Sequence, residues 1–280
     1  MPTPRKVPST AGVMLALHDL GGDGPPLLLC HPTGFHGMVW APVAAELATV
    51  ARCWALDFRG HGDSTSPADG RFAWDGMADD VLAAIDHLHA VPAFGVGHSM
   101  GGAAMLAAEQ RRPGTFSGLW LFEPIVIARG EGVVARPNPL AAAARRRRPR
   151  FPSREAAYDN FAAKPPLATL APDALRAYVD HGLRDVAGGD EVELKCDPEV
   201  EARVFDAGMR HRAADHLSEV RCPVTVAVSG DASIPALAAP GIAAALPAGR
   251  LERHPNLTHF GPMEDPPAVA SAIRTDLGLG

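Results

Sequence analysis

A serine held between glycines constrains this chain more than any other feature. Gly97-His98-Ser99-Met100-Gly101-Gly102 joins two segments of opposite character. Ala93 to Gly97 is a short apolar run that reads as a strand, and Ser99 to Arg111 is alanine-rich and reads as a helix ended by Pro113. A serine on so sharp a strand-to-helix turn must adopt a strained backbone conformation. The glycines two positions before and after it, Gly97 and Gly101, relieve the crowding. Such a turn lifts the hydroxyl clear of the sheet and aims the first N–H groups of the helix at the same spot, where developing negative charge is stabilised.

The neighbouring segments repeat the strand–helix rhythm. Val13 to His18, Leu27 to Cys30, Arg52 to Phe58 and Gly118 to Phe122 read as strands. The second is apolar throughout, as a strand buried on both faces requires. Val39 to Ala48 and Asp75 to Ala90 carry helical apolar spacing, the latter with Val81, Leu82, Ile85 and Leu88 on one stripe. The rhythm stops at Pro124, in a proline-rich stretch with helical patches, and resumes with Pro223 to Val228 as a strand. Ile242 to Leu246 then reads as a helix, Arg250 to Arg253 as a strand and Pro267 to Leu277 as a closing helix. The expected fold class is therefore α/β, a mostly parallel, doubly wound sheet. Residues 1–123 and 220–280 would form the core, interrupted by an insertion over residues 124–219.

Composition narrows the partners. The chain has 280 residues, 47% of them hydrophobic, enough for one large domain with a sizeable core. A net charge of −6 does not suit nucleic acid or an anionic membrane. The arginine run Arg145 to Arg148 reads as a solvated helix end. No stretch approaches the ~20 apolar residues of a membrane span, and the first ten residues lack the apolar core of a signal peptide. The expectation is a cytoplasmic protein with a small-molecule substrate, with a homodimer left open. Cys30, Cys53, Cys196 and Cys222 show no metal-binding or disulfide spacing and read as buried thiols.

Three further segments accompany the serine: His31-Pro32-Thr33-Gly34-Phe35 after the second strand, Asp57-Phe58-Arg59-Gly60-His61-Gly62-Asp63-Ser64 after the third, and Asn256-Leu257-Thr258-His259-Phe260-Gly261-Pro262 before the last helix. Together with the Gly-x-Ser-x-Gly turn they resemble the α/β-hydrolase family, in particular its serine-nucleophile, esterase-like members with a helical cap. The resemblance implies Ser99 as nucleophile and His259 as its base, His254 being a rival at the end of a strand. It implies an oxyanion hole from the N–H groups of Thr33 and Met100. Pro32 stands where the family usually has glycine, but the N–H required is that of Thr33. The Asp57–Ser64 segment would shape the site rather than react. Residues 124–219 would form the cap.

The orienting acid has two candidates under this resemblance. Asp231 lies in the loop after the strand ending near Ser229, although the family more often has its acid where this chain has Ser233. Glu123, after the preceding strand, is the alternative. The implied reaction is cleavage of a carboxylic ester or lactone through an acyl-enzyme, with no metal or organic cofactor. Serine rather than aspartate at the turn separates the chain from haloalkane dehalogenases and epoxide hydrolases. A carbon–carbon bond (β-diketone) hydrolase of aromatic-compound breakdown, or a low-turnover small-molecule receptor, are the alternative readings.

Overall fold

The structure, a computed structural model, describes residues 3–126 and 138–278. The chain opens with strands β1 (Arg5–Pro8), β2 (Met14–Gly21) and β3 (Pro26–Cys30). Helix α1 (Ala41–Leu47), strand β4 (Arg52–Asp57), helix α2 (Trp74–Leu88), strand β5 (Ala93–His98), helix α3 (Met100–Arg111) and strand β6 (Phe116–Phe122) follow. The inserted segment holds α4 (Pro139–Arg145), β7 (Arg150–Phe151), α5 (Arg154–Ala162), α6 (Pro172–Gly182), β8 (Leu183–Asp185), β9 (Val192–Leu194) and α7 (Pro198–Gly208). The chain closes with β10 (Val224–Ser229), α8 (Ile234–Ala245), β11 (Gly249–His254), α9 (Gly261–Glu264) and α10 (Pro266–Asp276).

Eight strands form one sheet in the order β1-β2-β4-β3-β5-β6-β10-β11. β1 and β2 are antiparallel additions at one edge; the six strands from β4 to β11 run parallel. Apolar side chains of α2, α3 and α8, among them Val81, Ile85, Leu106 and Ile242, pack in one core on one face of the sheet. Those of α1 and α10, among them Val43, Leu47, Val269 and Ile273, pack in a second. A sheet covered on both faces explains why β3 is apolar without alternation and why β10 is buried at every residue. All four cysteines are buried and free, and burial pushes the Cys53 and Cys222 thiols up to about 12.

The sequence expectations differ from these elements at β1, at α8 and in the inserted segment, and α9 is a short helix where the sequence reads as a loop. β1 is a four-residue edge strand with only Val7 buried, so it has no apolar run to announce it. α8 starts eight residues before the expected helix. Ser233 caps it by accepting the Ala236 N–H, and Pro235 fits its first turn. Pro240 inside α8 breaks the usual signature. The inserted segment, of which residues 127–137 lie outside the described residues, is not purely helical: β7, β9 and β8 form a small antiparallel sheet. Strands of two or three residues are too short to show a period.

This segment lies against the loops leaving the carboxyl ends of β3 and β4. Phe35 packs on Tyr178 with ring centroids 5.0 Å apart, and Lys195 Nζ pairs with Asp63 at 2.7 Å. Ala171 N–H donates to the carbonyl of Met263 in α9 at 2.9 Å.

α3 lies close against the end of β3. A Cβ at Gly101 would lie 2.4 Å from the Cys30 carbonyl oxygen. Gly241 in α8, by contrast, has nothing within 4 Å of its Cβ position. Gly101→Ala should therefore destabilise the protein by about 1–3 kcal/mol, and Gly241→Ala should stabilise it by about 0.5–1 kcal/mol. Urea unfolding of the two variants should show these opposite signs.

Candidate active site

Ser99 occupies φ 55°, ψ −114°, a region that side-chain-bearing residues rarely visit. Its N–H donates to the Phe122 carbonyl at 3.0 Å, and its carbonyl accepts from Ile125 N–H at 3.1 Å and Ala103 N–H at 3.2 Å. These bonds tie the strained residue to β6 and to the start of α3. Gly97 permits the turn: a Cβ there would lie 2.7 Å from Gly102 Cα. Ser99 is 7% exposed.

Met100 opens α3, where backbone N–H groups have no partner within the helix. Thr33 lies against it, its Oγ1 donating to Met100 Sδ at 3.4 Å. The loop carrying Thr33 is fixed from below. His31 Nδ1–H donates to the Pro32 carbonyl at 2.8 Å, and its Nε2 accepts the Phe58 N–H at 3.1 Å. These partners assign the neutral tautomer. Burial, reinforced by nearby His61, holds the His31 pKa well below the usual histidine range. Burial also lowers His36 to about 4, and its Nε2–H donates to the Tyr178 carbonyl at 3.1 Å.

Asp57 organises the loop after β4. Its carboxylate accepts from His18 Nε2 at 2.9 Å, Gly37 N–H at 2.6 Å and Asp63 N–H at 2.8 Å. Burial opposes its ionisation, but the His18 hydrogen bond and the histidines around it outweigh that and hold its pKa well below the carboxylate range. Arg59 makes a buried fork to Asp80 at 2.8 and 2.7 Å. Potential ligand atoms of His18, Asp57 and Asp63 lie within 4.8 Å of one another. They are already spent on these bonds and on Lys195, so the donor set does not suit a cation.

His259 stands at the other side of the elbow, its ring centroid 4.9 Å from that of His98, the residue before Ser99. His259 Nδ1–H donates to Glu123 Oε2 at 2.6 Å. Glu123 is fully buried at the end of β6, with φ 43°. Its Oε1 accepts the Ser229 N–H at 2.9 Å and its Oε2 accepts from Ser233 Oγ at 3.3 Å. Burial works against the charged form, but the His259 and Ser229 hydrogen bonds prevail and hold the carboxyl below its usual range. Asp231 does not meet the ring. Its Oδ2 accepts the backbone N–H of His259 at 3.1 Å, and its Oδ1 accepts the Ser233 N–H at 2.9 Å. Of the two carboxylates left open by the sequence, only Glu123 bonds the imidazole. His254, the rival base, bonds Glu252 at 2.9 Å on β11.

Two residues gain a part that sequence reasoning did not assign. Ser233 stands where the family more often has its acid, and its hydroxyl bonds Glu123. His98 is buried against His259 and Phe122, and burial together with nearby His259 holds its pKa well below the usual range. Within the arginine run, Arg145 pairs with Glu199 and Asp206, and Arg147 with Glu201.

The sequence pattern of the alpha/beta hydrolase family matches residues 27–272. Over 106 residues the chain is 40% identical to the dihydrolipoyllysine-residue acetyltransferase component of the acetoin cleaving system of Pseudomonas putida. That stretch is 38% of this chain and 28% of the relative, so only a minor part of that protein is shared. Two solved structures share the fold over nearly the full length of both chains. One is E-2-(acetamidomethylene)succinate hydrolase, with a TM-score of 0.79 and 22% identity over 98% of each chain. The other is a thermophilic esterase from Thermogutta terrifontis with malate bound, with a TM-score of 0.76 and 24% identity over 99% of this chain and 98% of that one.

Three histidines of the site, His31, His36 and His98, are thus kept neutral by burial. The unfolded chain takes up their protons as pH falls through about 6.5, whereas the folded protein resists until lower pH, about 4 for His36. Stability is therefore complete above pH 6.5 and is lost on acidification, by up to about 1.4 kcal/mol per pH unit for each histidine. Urea midpoints at pH 7, 6 and 5 should fall in that order, and His36→Gln should flatten the dependence by the share of one histidine.

Proposed function

Because the chain belongs to the alpha/beta hydrolase family, we propose that it is a serine hydrolase that cleaves a carboxylic ester or lactone through an acyl-enzyme on Ser99. The observation that carries this reading is the pair of a strained, elbow-borne Ser99 and a His259 whose Nδ1–H is held by the buried Glu123. That bond fixes the tautomer. It leaves Nε2 as the ring nitrogen that takes the serine proton.

In the first step Ser99 Oγ attacks the carbonyl carbon while His259 Nε2 accepts the hydroxyl proton. The resulting imidazolium is stabilised by the Glu123 carboxylate. The oxyanion of the tetrahedral intermediate accepts the N–H groups of Met100 and Thr33. His259 then returns its proton to the leaving alkoxide, and the carbon–oxygen bond breaks to leave the acyl-serine. Water, deprotonated by the same nitrogen, attacks that ester and releases the acid. Asp231 serves by holding the backbone of the histidine loop rather than the ring. The described part of the inserted segment acts as a cap over the site. Phe35, Tyr178 and Phe260, whose rings pack together, form its apolar floor. The shared fold of the Thermogutta esterase is in keeping with this chemistry.

A fluorophosphonate probe should label the wild type and not Ser99→Ala, and Ser99→Ala should lose about 10³-fold or more of its turnover of p-nitrophenyl butyrate. Labelling without turnover would favour the receptor reading. Glu123→Gln should lower kcat by about 10²–10⁴-fold, and Asp231→Asn by less than about tenfold. The reverse order would return the acid role to Asp231.

A further inference from the structure

Arg147, Tyr178 and Glu201 come from three separate parts of the inserted segment, the turn after α4, helix α6 and helix α7. They meet in one cluster, in which Tyr178 and Glu201 are buried and Arg147 is partly exposed. Arg147 Nη1 donates to Glu201 Oε2 at 2.5 Å, and its Nη2 donates to the Tyr178 hydroxyl at 2.5 Å. Glu201 is 6% exposed and Tyr178 3%. Taking an ion pair out of water is costly, and such pairs are weak contributors to stability; their attested use is to fix one arrangement among several.

The arrangement fixed here includes the loop that carries Thr33. Gly34 has φ +79°, and a Cβ on it would lie 2.5 Å from Glu201 Oε1, so the carboxylate rests directly on the loop backbone. Phe35 packs on the Tyr178 ring at 5.0 Å. His36 stacks on the same ring, at 5.9 Å and 16°, and donates to the Tyr178 carbonyl at 3.1 Å. Three consecutive residues after Thr33 are each gripped by the cluster. The cavity left between cluster and loop is about 10 Å³, room for one water at most, so it cannot seat a substrate group.

We propose that Arg147 and Glu201 are positioning residues, a charged strut through which the inserted segment holds the 31–36 loop with the Thr33 N–H directed at the developing oxyanion. The inference rests on the serine-hydrolase reading, with Thr33 as oxyanion donor. Cap placement and transition-state stabilisation are then coupled. Loosening the strut costs the step in which charge develops, while ground-state binding is largely spared.

The test uses full-length Glu201→Ala, Arg147→Met, Tyr178→Phe and Glu201→Gln, with p-nitrophenyl butyrate as substrate and a trifluoromethyl ketone as tetrahedral mimic. Glu201→Ala and Arg147→Met should each lower kcat about tenfold or more, with KM changed less than about threefold. The ketone should bind more weakly by the same factor as kcat/KM falls. The double variant should be no worse than either single one, because both break the same strut. Glu201→Gln, which keeps an acceptor for Arg147, should recover most of the loss. Melting temperatures that fall while kcat holds would overturn the proposal, as would a loss carried by KM alone. If the Ala and Met variants do not fold, Tyr178→Phe, which keeps the ring contacts and loses only the hydroxyl link, still decides. An unchanged kcat and ketone affinity in that variant would overturn the strut. Activity retained by Ser99→Ala would instead remove the serine reading itself, so the two failures are distinguishable.

Discussion

The positive φ of Ser99 is the constraint from which the rest of the site is built. A non-glycine residue held there costs on the order of 1–3 kcal/mol, and the surroundings must over-determine it. They do so with the Phe122 carbonyl on one side and the Ile125 and Ala103 N–H groups on the other. The geometry also demands small residues. Gly97 lets the strand pass close to Gly102, and Gly101 lets α3 rest on the Cys30 carbonyl. That second contact has a consequence for the site. With α3 so close to the end of β3, Met100 at the helix start meets Thr33 just beyond that strand. One packing requirement thus strains the serine, opens the helix N-terminus and brings a second loop beside it.

The imidazole of His259 sits in the loop after β11, and the carboxylate that bonds it comes from the end of β6 rather than the loop after β10. The reason lies in how the two carboxylates are surrounded. Glu123 leaves β6 with a left-handed backbone and reaches across to β10. There the Ser229 N–H and the Ser233 hydroxyl satisfy its oxygens without solvent. Asp231 is already engaged at the start of α8 and on the backbone of residue 259. A glutamate spans the strand spacing that an aspartate at the same point would not, and the hydroxyl at Ser233 fills the place where a second negative charge would have opposed the first.

Much of this is legible in the sequence. The parallel core reads from the apolar runs of β3, β4, β5, β6 and β10, because a doubly covered sheet leaves no room for polar alternation. The elbow reads from two glycines and a serine because sterics allow little else. The acid did not read, since Asp231 and Glu123 stand at sequence-equivalent points, each just after a strand. Only the side-chain reach across β6 and β10 separates them. β1 escaped because an edge strand needs one buried residue, and α8 because its prolines sit where a helix tolerates them or bends. The arginine run at 145–148 looked like a solvated end. Arg145 stays at the exposed surface, paired with Glu199 and Asp206, whereas Arg147 turns inward to Glu201, a partner 54 residues later in the chain.

The loop after β3 is held from two sides by polar groups, most of them buried. Beneath it, His31 bridges Pro32 and Phe58, and Asp57 collects three N–H donors. Above it, the Arg147–Glu201 pair bears on Gly34 and Tyr178 bears on the two residues after it. Apolar packing alone would bury this loop more cheaply, but it is non-directional and tolerates sliding. Buried hydrogen bonds do not, because a displaced donor is left unsatisfied at a cost of about 1–3 kcal/mol. The polar groups therefore convert a segment with no helix or strand of its own into one with a single backbone path. A backbone N–H can act as a preorganised donor only if its path is fixed before the charge arrives. The inserted segment, which adds nothing to the parallel sheet, is part of what fixes it.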